Sequence, residues 1–147
     1  MKVVDVGDKP ATRRTAVARG RVRCSPETLR AVERGEIEKG DVIAAARLAG
    51  ILGAKRTPDI VPLCHPIALA GIDVDVTLRR RPFSAIEVEA RVRAQDRTGV
   101  EMEALTAVCA AALCVYDMLK SRERGMVIEQ VALWTKAGGR SGDWKRT

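Results

Sequence analysis

The chain is poor in histidine and in aromatic side chains. Among its 147 residues it has one histidine, His65, and only 3% aromatic residues. So few rings argue against a platform for single-stranded nucleic acid, which stacks bases on exposed aromatic side chains. One histidine and four cysteines without a C-x-x-C pair also argue against a zinc site of ordinary spacing. We therefore predict no nucleic-acid partner, no metal and no other cofactor.

The sequence also shows no targeting segment. The first ten residues, "MKVVDVGDKP", lack the apolar stretch of a signal peptide. We identify no apolar run that approaches transmembrane length. Together with the absence of a disulfide-type cysteine pattern, this predicts reduced thiols, a cytoplasmic location and no membrane partner.

Small aliphatic and basic residues are abundant. Apolar residues make up 46% of the chain, which predicts one domain over residues 1–147 with a core of Ala, Val, Leu and Ile. Lysine and arginine total 26 against 19 acidic residues, a formal charge of +7. This excess favours an anionic partner, which could be a phosphorylated metabolite, a nucleic acid or a membrane surface.

The hydrophobic pattern predicts an α+β fold with an antiparallel sheet and helices on one face. Ser25 and Asp41 are predicted to cap two helices at their N-termini, and small residues at 42–53 form a stripe that another backbone could approach closely. The three prolines of "PDIVPLCHPI" predict a rigid connection without helix or strand. The predicted order is a strand at 15–24, helices at 25–35 and 39–58, a hairpin at 71–94, a helix at 99–125, a strand at 126–137 and a glycine-rich tail at 138–147.

His65 lies in the short segment "VPLCHP". Adjacent side chains on an extended segment point to opposite sides, so a catalytic dyad of Cys64 and His65 is excluded. A core histidine and a substrate-binding histidine both remain open. The flanking prolines favour binding, because they hold the backbone rigidly.

The long helix carries charges that break its apolar pattern. Asp117 and Lys120 are three residues apart on one helical face, which allows either an ordinary ion pair or a coupled acid–base unit in which a buried lysine has a lowered pKa. At the other end, "GVEMEAL" places Glu101, Met102 and Glu103 in the first turn. The two glutamates could stabilise the positive end of the helix dipole while Met102 fills the core. Alternatively, all three side chains could face a ligand.

The C-terminal "KAGGRSGDW" combines three glycines with Lys136 and Arg140. Exposed main-chain N–H groups and two cations could bind phosphate, although the spacing is not that of a Walker loop. A frayed terminus is the alternative that composition favours.

Six segments together resemble one family, the cyclic pyranopterin monophosphate synthases, which are lyases of molybdenum-cofactor biosynthesis. The resemblance covers nearly the whole chain, and "PLCHP" and "GVEMEALTA" are its most specific parts. The segments are "VVDV" (3–6), "KGDV" (39–42), "AGILGAKRTPDIVPLCHP" (49–66), "TGVEMEALTA" (98–107), "VYDMLK" (115–120) and "KAGGRSGDW" (136–144).

The resemblance implies a ferredoxin-like fold and a homohexamer of three dimers with active sites across the dimer interface. It implies the substrate (8S)-3',8-cyclo-7,8-dihydroguanosine 5'-triphosphate, a nucleotide-derived triphosphate that is converted to cyclic pyranopterin monophosphate with loss of pyrophosphate. It implies catalysis by Asp117 with Lys39 and Lys120. The implied substrate-binding residues are Leu63, Cys64, His65, Met102 and Glu103, with Asp5, Arg14, Glu101, Lys136 and Arg140 in the same site.

Two other functions compete with this interpretation. A small basic RNA-binding domain would need aromatic side chains on its sheet, and the two hairpin strands have none. A structural subunit with a decayed site would be expected to lack Lys39, Asp117 or Lys120, and all three are present.

Overall fold

A computed structural model describes residues 1–147. The chain forms five strands and four helices, and the predicted order of the main elements is confirmed. The elements are β1 (Thr12–Arg23), α1 (Pro26–Glu33), α2 (Val42–Lys55), α3 (Thr57–Ile60), β2 (Leu69–Arg79), β3 (Ala85–Asp96), α4 (Glu101–Leu119), β4 (Val127–Ala137) and β5 (Trp144–Lys145).

The strands form one sheet in the order β2-β3-β1-β4-β5, and every neighbouring pair is antiparallel. The elements β1, α2, β2, β3, α4 and β4 follow the β-α-β-β-α-β order of a split βαβ fold, with three short additions in α1, α3 and β5. Helix α4 contacts β1, β3 and β4, and α2 contacts β2. The predicted α+β architecture with an antiparallel sheet is therefore confirmed.

Helix α4 is the centre of the hydrophobic core. Ten of its residues are buried, and all of these except Glu103 and Thr106 belong to a cluster of 26 buried residues made mostly of Ala, Val, Leu and Ile. By length and composition alone, α4 could cross a membrane, so the expectation that no run reaches that length is wrong. More than half of its apolar window (56%) is buried inside the protein, as in a core helix.

The small-residue stripe of α2 packs against α4 of the same chain. A Cβ atom at Gly53 would lie 2.5 Å from the Ala110 Cβ and 3.2 Å from the main-chain oxygen of Thr106, so only glycine allows this approach. The backbone that approaches the stripe closely is therefore that of α4, and the stripe does not call for a second chain. Leu52, which the sequence placed on the stripe, is 57% exposed.

Three boundaries differ from the sequence prediction. The segment after α2 is not wholly irregular, because Pro58 is accommodated in the first turn of α3, where its missing N–H has no helical partner to lose. Helix α4 ends at Leu119, with Lys120 as its C-cap, rather than at Gly125. The tail is not frayed, because Trp144 and Lys145 pair with β4 as the edge strand β5.

On the sheet face that the helices leave uncovered, many of the arginines form ion pairs with acidic side chains. Arg19 pairs with Glu89 at 2.6 Å, and Arg93 pairs with Asp73 at 2.6 Å. Arg21 and Arg23 share Glu129, and Arg79 pairs with Glu87. The net charge of +7 is therefore not spread evenly, and the unpaired cations lie elsewhere.

Candidate functional site

Three of the predicted catalytic residues meet at the C-terminal end of α4. The Asp117 carboxylate accepts a hydrogen bond from the Lys39 Nζ at 2.7 Å through Oδ2, and the Lys120 Nζ lies 2.7 Å from Oδ1. The Lys39 Nζ also donates to the main-chain oxygen of Asp117 at 3.2 Å. Lys39 comes from the loop between α1 and α2, so the fold brings together residues 78 positions apart.

The electrostatics of this triad are those of an exposed ion pair. The hydrogen bond from Lys120, followed by the one from Lys39, lowers the pKa of Asp117 to about 2. The bond between Lys120 and Asp117 also raises the pKa of Lys120. The side chains of Asp117 and Lys120 are each 54% exposed. Of the two alternatives that the sequence left open, the single chain shows the exposed ion pair and not a buried lysine with a lowered pKa. In the single chain Lys120 is a protonated cation beside an ionised carboxylate.

The second group lies at the other end of α4. The Cys64 thiol donates weakly to the Glu103 carboxylate, with 3.8 Å between Sγ and Oε1, and to the main-chain oxygen of His65 at 3.7 Å. Burial, and then the charge of Glu103, raise the pKa of the Cys64 thiol. Cys64 is therefore a neutral thiol, which is unsuited to nucleophilic attack.

Glu103 is a buried carboxyl with an unused oxygen. It is 2% exposed, and its Oε2 has no hydrogen-bond partner. Burial raises its pKa above the ordinary glutamate value. An unsatisfied buried polar atom is costly, so the unpaired Oε2 calls for a partner that the single chain does not supply. Beside it, the half-buried His65 forms a hydrogen bond only through its main-chain oxygen, so its imidazole is free for a ligand.

The third group forms a basic cleft of about 460 Å³ next to the start of α4. Four of the predicted residues line this cleft, and Glu101 is its one carboxylate. The Lys136 Nζ lies 3.6 Å from the Glu101 Oε1. The cations that line it are Lys9, Arg14, Lys136 and Arg140. A cleft with four cations and one carboxylate suits a polyanion such as a phosphate chain.

The glycine-rich tail shapes this cleft through close packing. Gly139 has a φ of +86°, and a Cβ atom there would lie 1.9 Å from the Arg14 Nη1. Arg14 is only 7% exposed, and its Nε donates to the main-chain oxygen of Asp96 at 3.2 Å. The N–H of Gly138 is occupied by the Asp143 carboxylate at 3.1 Å. Of the groups that the sequence analysis named for phosphate binding, Lys136 and Arg140 line the cleft, whereas the N–H of Gly138 is not free for an anion.

The other predicted site residues are Leu63, Met102 and Asp5. Leu63 and Met102 are 43% and 38% exposed, so both are open to a ligand near the second group. Asp5 does not line the basic cleft, and it accepts a hydrogen bond from the Gly7 N–H within its own turn at 2.8 Å. Lys9 was missed, because nothing in its local sequence distinguishes it from an ordinary surface lysine. No cluster of three His, Cys, Asp or Glu side chains is placed to hold a metal ion.

The Lys39–Asp117–Lys120 triad and the predicted substrate-binding residues of the second group are far apart within one chain. Glu103 lies in the first turn of α4 and Asp117 in the last, so roughly 14 residues and roughly 21 Å of helix separate them. A general acid or base must come within about 3 Å of the atom that it serves. One chain therefore holds two separate halves of the predicted site.

Comparison with known proteins identifies the family. A sequence model described as the MoaC family matches residues 3–139. A relative from Thermomicrobium roseum, named cyclic pyranopterin monophosphate synthase, is 57% identical over 145 residues, which cover 99% of this chain and 87% of the relative. Relatives of the same name from Chloroflexus aurantiacus and Heliobacterium modesticaldum are 56% and 53% identical, each over 99% of this chain and over 88% and 91% of their own lengths. The chain therefore belongs to the MoaC family, the enzymes of molybdenum-cofactor biosynthesis that are named cyclic pyranopterin monophosphate synthases.

Proposed function

We propose that the protein converts (8S)-3',8-cyclo-7,8-dihydroguanosine 5'-triphosphate to cyclic pyranopterin monophosphate and releases pyrophosphate. The observation that carries the proposal is the Lys39–Asp117–Lys120 triad, in which one carboxylate lies 2.7 Å from each of two ammonium groups. Such a unit can supply and accept protons during ring rearrangement.

The basic cleft supports a triphosphate substrate. Its cations would neutralise the phosphate chain and stabilise the charge that develops on the departing pyrophosphate. Arg14 suits this role best, because its guanidinium is buried and fixed by packing against Gly139. Closing the cyclic phosphate forms a new bond from a sugar oxygen to the first phosphorus and breaks that phosphorus's bond to the pyrophosphate. The hydroxyl proton must then pass to a base.

The second group would hold the fused-ring part of the substrate. The Glu103 Oε2 has no partner in the protein, and the His65 imidazole is free, so both are available for hydrogen bonds to ring heteroatoms. Met102 and Leu63 would supply apolar contacts beside them. The neutral Cys64 thiol would hold the Glu103 carboxyl rather than attack the substrate.

A second copy of the chain would complete each site. On α4, Met102, Cys109, Leu113 and Lys120 are exposed and lie within about 20° of one line at about 100° per residue. Their spacing is symmetric about residue 111. Two α4 helices that pair antiparallel about a two-fold axis there would bring Met102 of one chain to Lys120 of the other.

This pairing buries Leu113, which is 61% exposed in the single chain. It also joins the triad of one chain to the binding residues of the other, which removes the separation along α4. We therefore infer a shared site in a symmetric oligomer, in keeping with the homohexamer expected from the sequence. Cytoplasmic location also stays a prediction.

The test is turnover of the purified protein with the cyclised dihydro-GTP made by a radical enzyme. We expect the wild-type protein to release one pyrophosphate per product and Asp117→Asn to lose most turnover while keeping its fold and assembly state. Asp59→Asn, which removes an exposed carboxylate outside the site, serves as the control. Turnover by Asp117→Asn equal to that of the wild-type protein would contradict the catalytic assignment.

A further inference from the structure

A carboxylate outside the three site groups joins α1 to the catalytic end of α4. Both oxygens of Glu123 accept from the Ser25 N–H, at 3.0 and 3.1 Å, and Oε2 accepts from the Thr28 hydroxyl at 2.7 Å. Ser25 is the N-cap of α1, and its hydroxyl accepts from the Thr28 N–H at 3.2 Å. In an ordinary capping box, a glutamate at the third helical position binds the N-cap N–H. Here Glu123 provides that carboxylate from 98 residues further along the chain.

Glu123 is held ionised by these contacts. Partial burial acts to raise its pKa, but the hydrogen bonds from Ser25 and Thr28 outweigh burial, so that its pKa is lowered. A carboxylate that accepts three hydrogen bonds from one helix start is a rigid connection. It is not a surface charge that happens to lie near α1.

The residue beside it makes a second connection to the same part of the fold. The Arg122 Nη2 donates to the main-chain oxygen of Glu36 at 3.1 Å. Glu36 lies in the loop between α1 and α2, three residues before Lys39. Arg122 and Glu123 therefore fasten both α1 and this loop to the segment that leaves α4 directly after Lys120.

The lysines of the triad cannot provide this rigidity themselves. The side chains of Lys39 and Lys120 are 50% and 54% exposed, so little packing restrains them. Exposed ion pairs are weakened by solvent and contribute too little to fix two flexible side chains on one carboxylate. Their geometry depends instead on where the two main-chain segments are held.

From these contacts we infer that Glu123, assisted by Arg122, is a positioning residue that sets the distance between Lys39 and the Asp117–Lys120 pair. This inference rests on the proposed catalytic role of the triad. Glu123 does not touch the substrate. It fixes α1 and, through α1, the start of the loop that carries Lys39.

The experiment compares Glu123→Ala with two controls. Ser25→Ala removes the capping hydroxyl but keeps the N–H that binds Glu123, so it lowers the melting temperature and leaves the connection intact. Glu38→Gln removes an exposed carboxylate from the loop itself. Turnover is measured as kcat and KM, and hydrogen exchange is followed for the amides of residues 34–41.

We expect Glu123→Ala to lower kcat roughly 10- to 100-fold with KM within about twofold, because a displacement on the order of 1 Å can cost about 100-fold in rate. Exchange in residues 34–41 should accelerate in this variant, while both controls keep wild-type kcat and exchange. In a Lys39→Ala background, adding Glu123→Ala should lower kcat little further, since residues that act through one another are not additive.

Three outcomes would overturn the inference, and they show whether the proposed function fails with it. Wild-type kcat in Glu123→Ala, with Asp117→Asn inactive, would reject the positioning role and leave the proposed function standing. The positioning role would also be rejected if the losses of kcat caused by Glu123→Ala and by Lys39→Ala were fully additive in the double variant. An active Asp117→Asn enzyme would instead reject the catalytic triad, and the positioning role with it.

Discussion

Two inactive variants with defects in different halves of the site should restore activity when they assemble together. The first variant, Asp117→Asn, damages the triad, and the second, His65→Ala, damages the binding group. Within one chain, these groups lie at opposite ends of α4, whose first and last turns are roughly 21 Å apart at about 1.5 Å per residue. If each site takes its triad from one chain and its binding group from the other, a mixed pair contains one site with both defects and one with neither.

The size of the recovery follows from this geometry. Random pairing of equal amounts makes about half of all pairs mixed, and half of the sites in a mixed pair are intact, so about a quarter of wild-type activity should return. The fraction does not depend on how many pairs the assembly contains. A matched control combines Asp117→Asn with Lys120→Ala. Both defects lie in the triad, so every site is damaged and no activity should return.

The assay uses chains that carry two different tags to show that mixed assemblies form, and the recovery of about a quarter refers to turnover of the whole mixture before those assemblies are isolated. Light scattering confirms that the assemblies exceed the 16.0 kDa of one chain. Isolated mixed assemblies that remain inactive would refute the shared site, and so would equal recovery in the triad–triad control. A protein found only at 16.0 kDa at micromolar concentration would refute it as well.

Four further outcomes follow from the structure. Lys120→Arg keeps the charge but should lose most turnover in steady-state kinetics, because arginine does not release a proton near neutral pH, and an active variant would exclude proton transfer by Lys120. Gly53→Ala should lower the melting temperature. The new Cβ would lie 2.5 Å from the Ala110 Cβ, and such overpacking costs about 1–3 kcal/mol, which is more than the gain of about 1 kcal/mol from helix propensity. A raised melting temperature would contradict this packing argument. The pKa of Asp117 is lowered from 3.8 to about 2, so its ion pairs stabilise the fold above about pH 3.8 and lose this effect as pH falls through about 2. The difference in melting temperature between the wild-type protein and Asp117→Asn should therefore shrink over that range, and a constant difference would contradict this reasoning. Leu113→Glu should leave the chain folded but prevent pairing, which light scattering would show as a mass near 16.0 kDa, and an unchanged assembly would place the interface elsewhere.

Local sequence signals were sufficient for most of the elements. Ser25 and Asp41 cap their helices as predicted, each accepting a main-chain N–H through its side chain. The alternating residues of the hairpin form β2 and β3 in continuous register from Gly71 onward. Such features were predictable because their energetics involve neighbours a few residues away.

The errors occurred where distant packing decides the structure. The stripe on α2 was recognised, but its partner was not, because the sequence cannot say which backbone will occupy a small-residue surface. The tail was expected to fray, yet β4 offers an edge to which Trp144 and Lys145 pair. The sequence left open whether Asp117 lies in an exposed ion pair or in a buried acid–base unit, and the fold decided this because α4 exposes that side chain to solvent.

The sequence by itself determined the elements, the small-aliphatic core, the family resemblance and the set of chemically active side chains. Those properties depend on residue identity and on short-range periodicity. Only the tertiary structure decided that Lys39 joins Asp117, that Lys9 completes the basic cleft and that Glu103 keeps an oxygen free. It also separated the triad from the binding residues along α4. Such facts depend on which segments meet across the fold, and the free energy of those contacts is fixed by packing rather than by any local pattern.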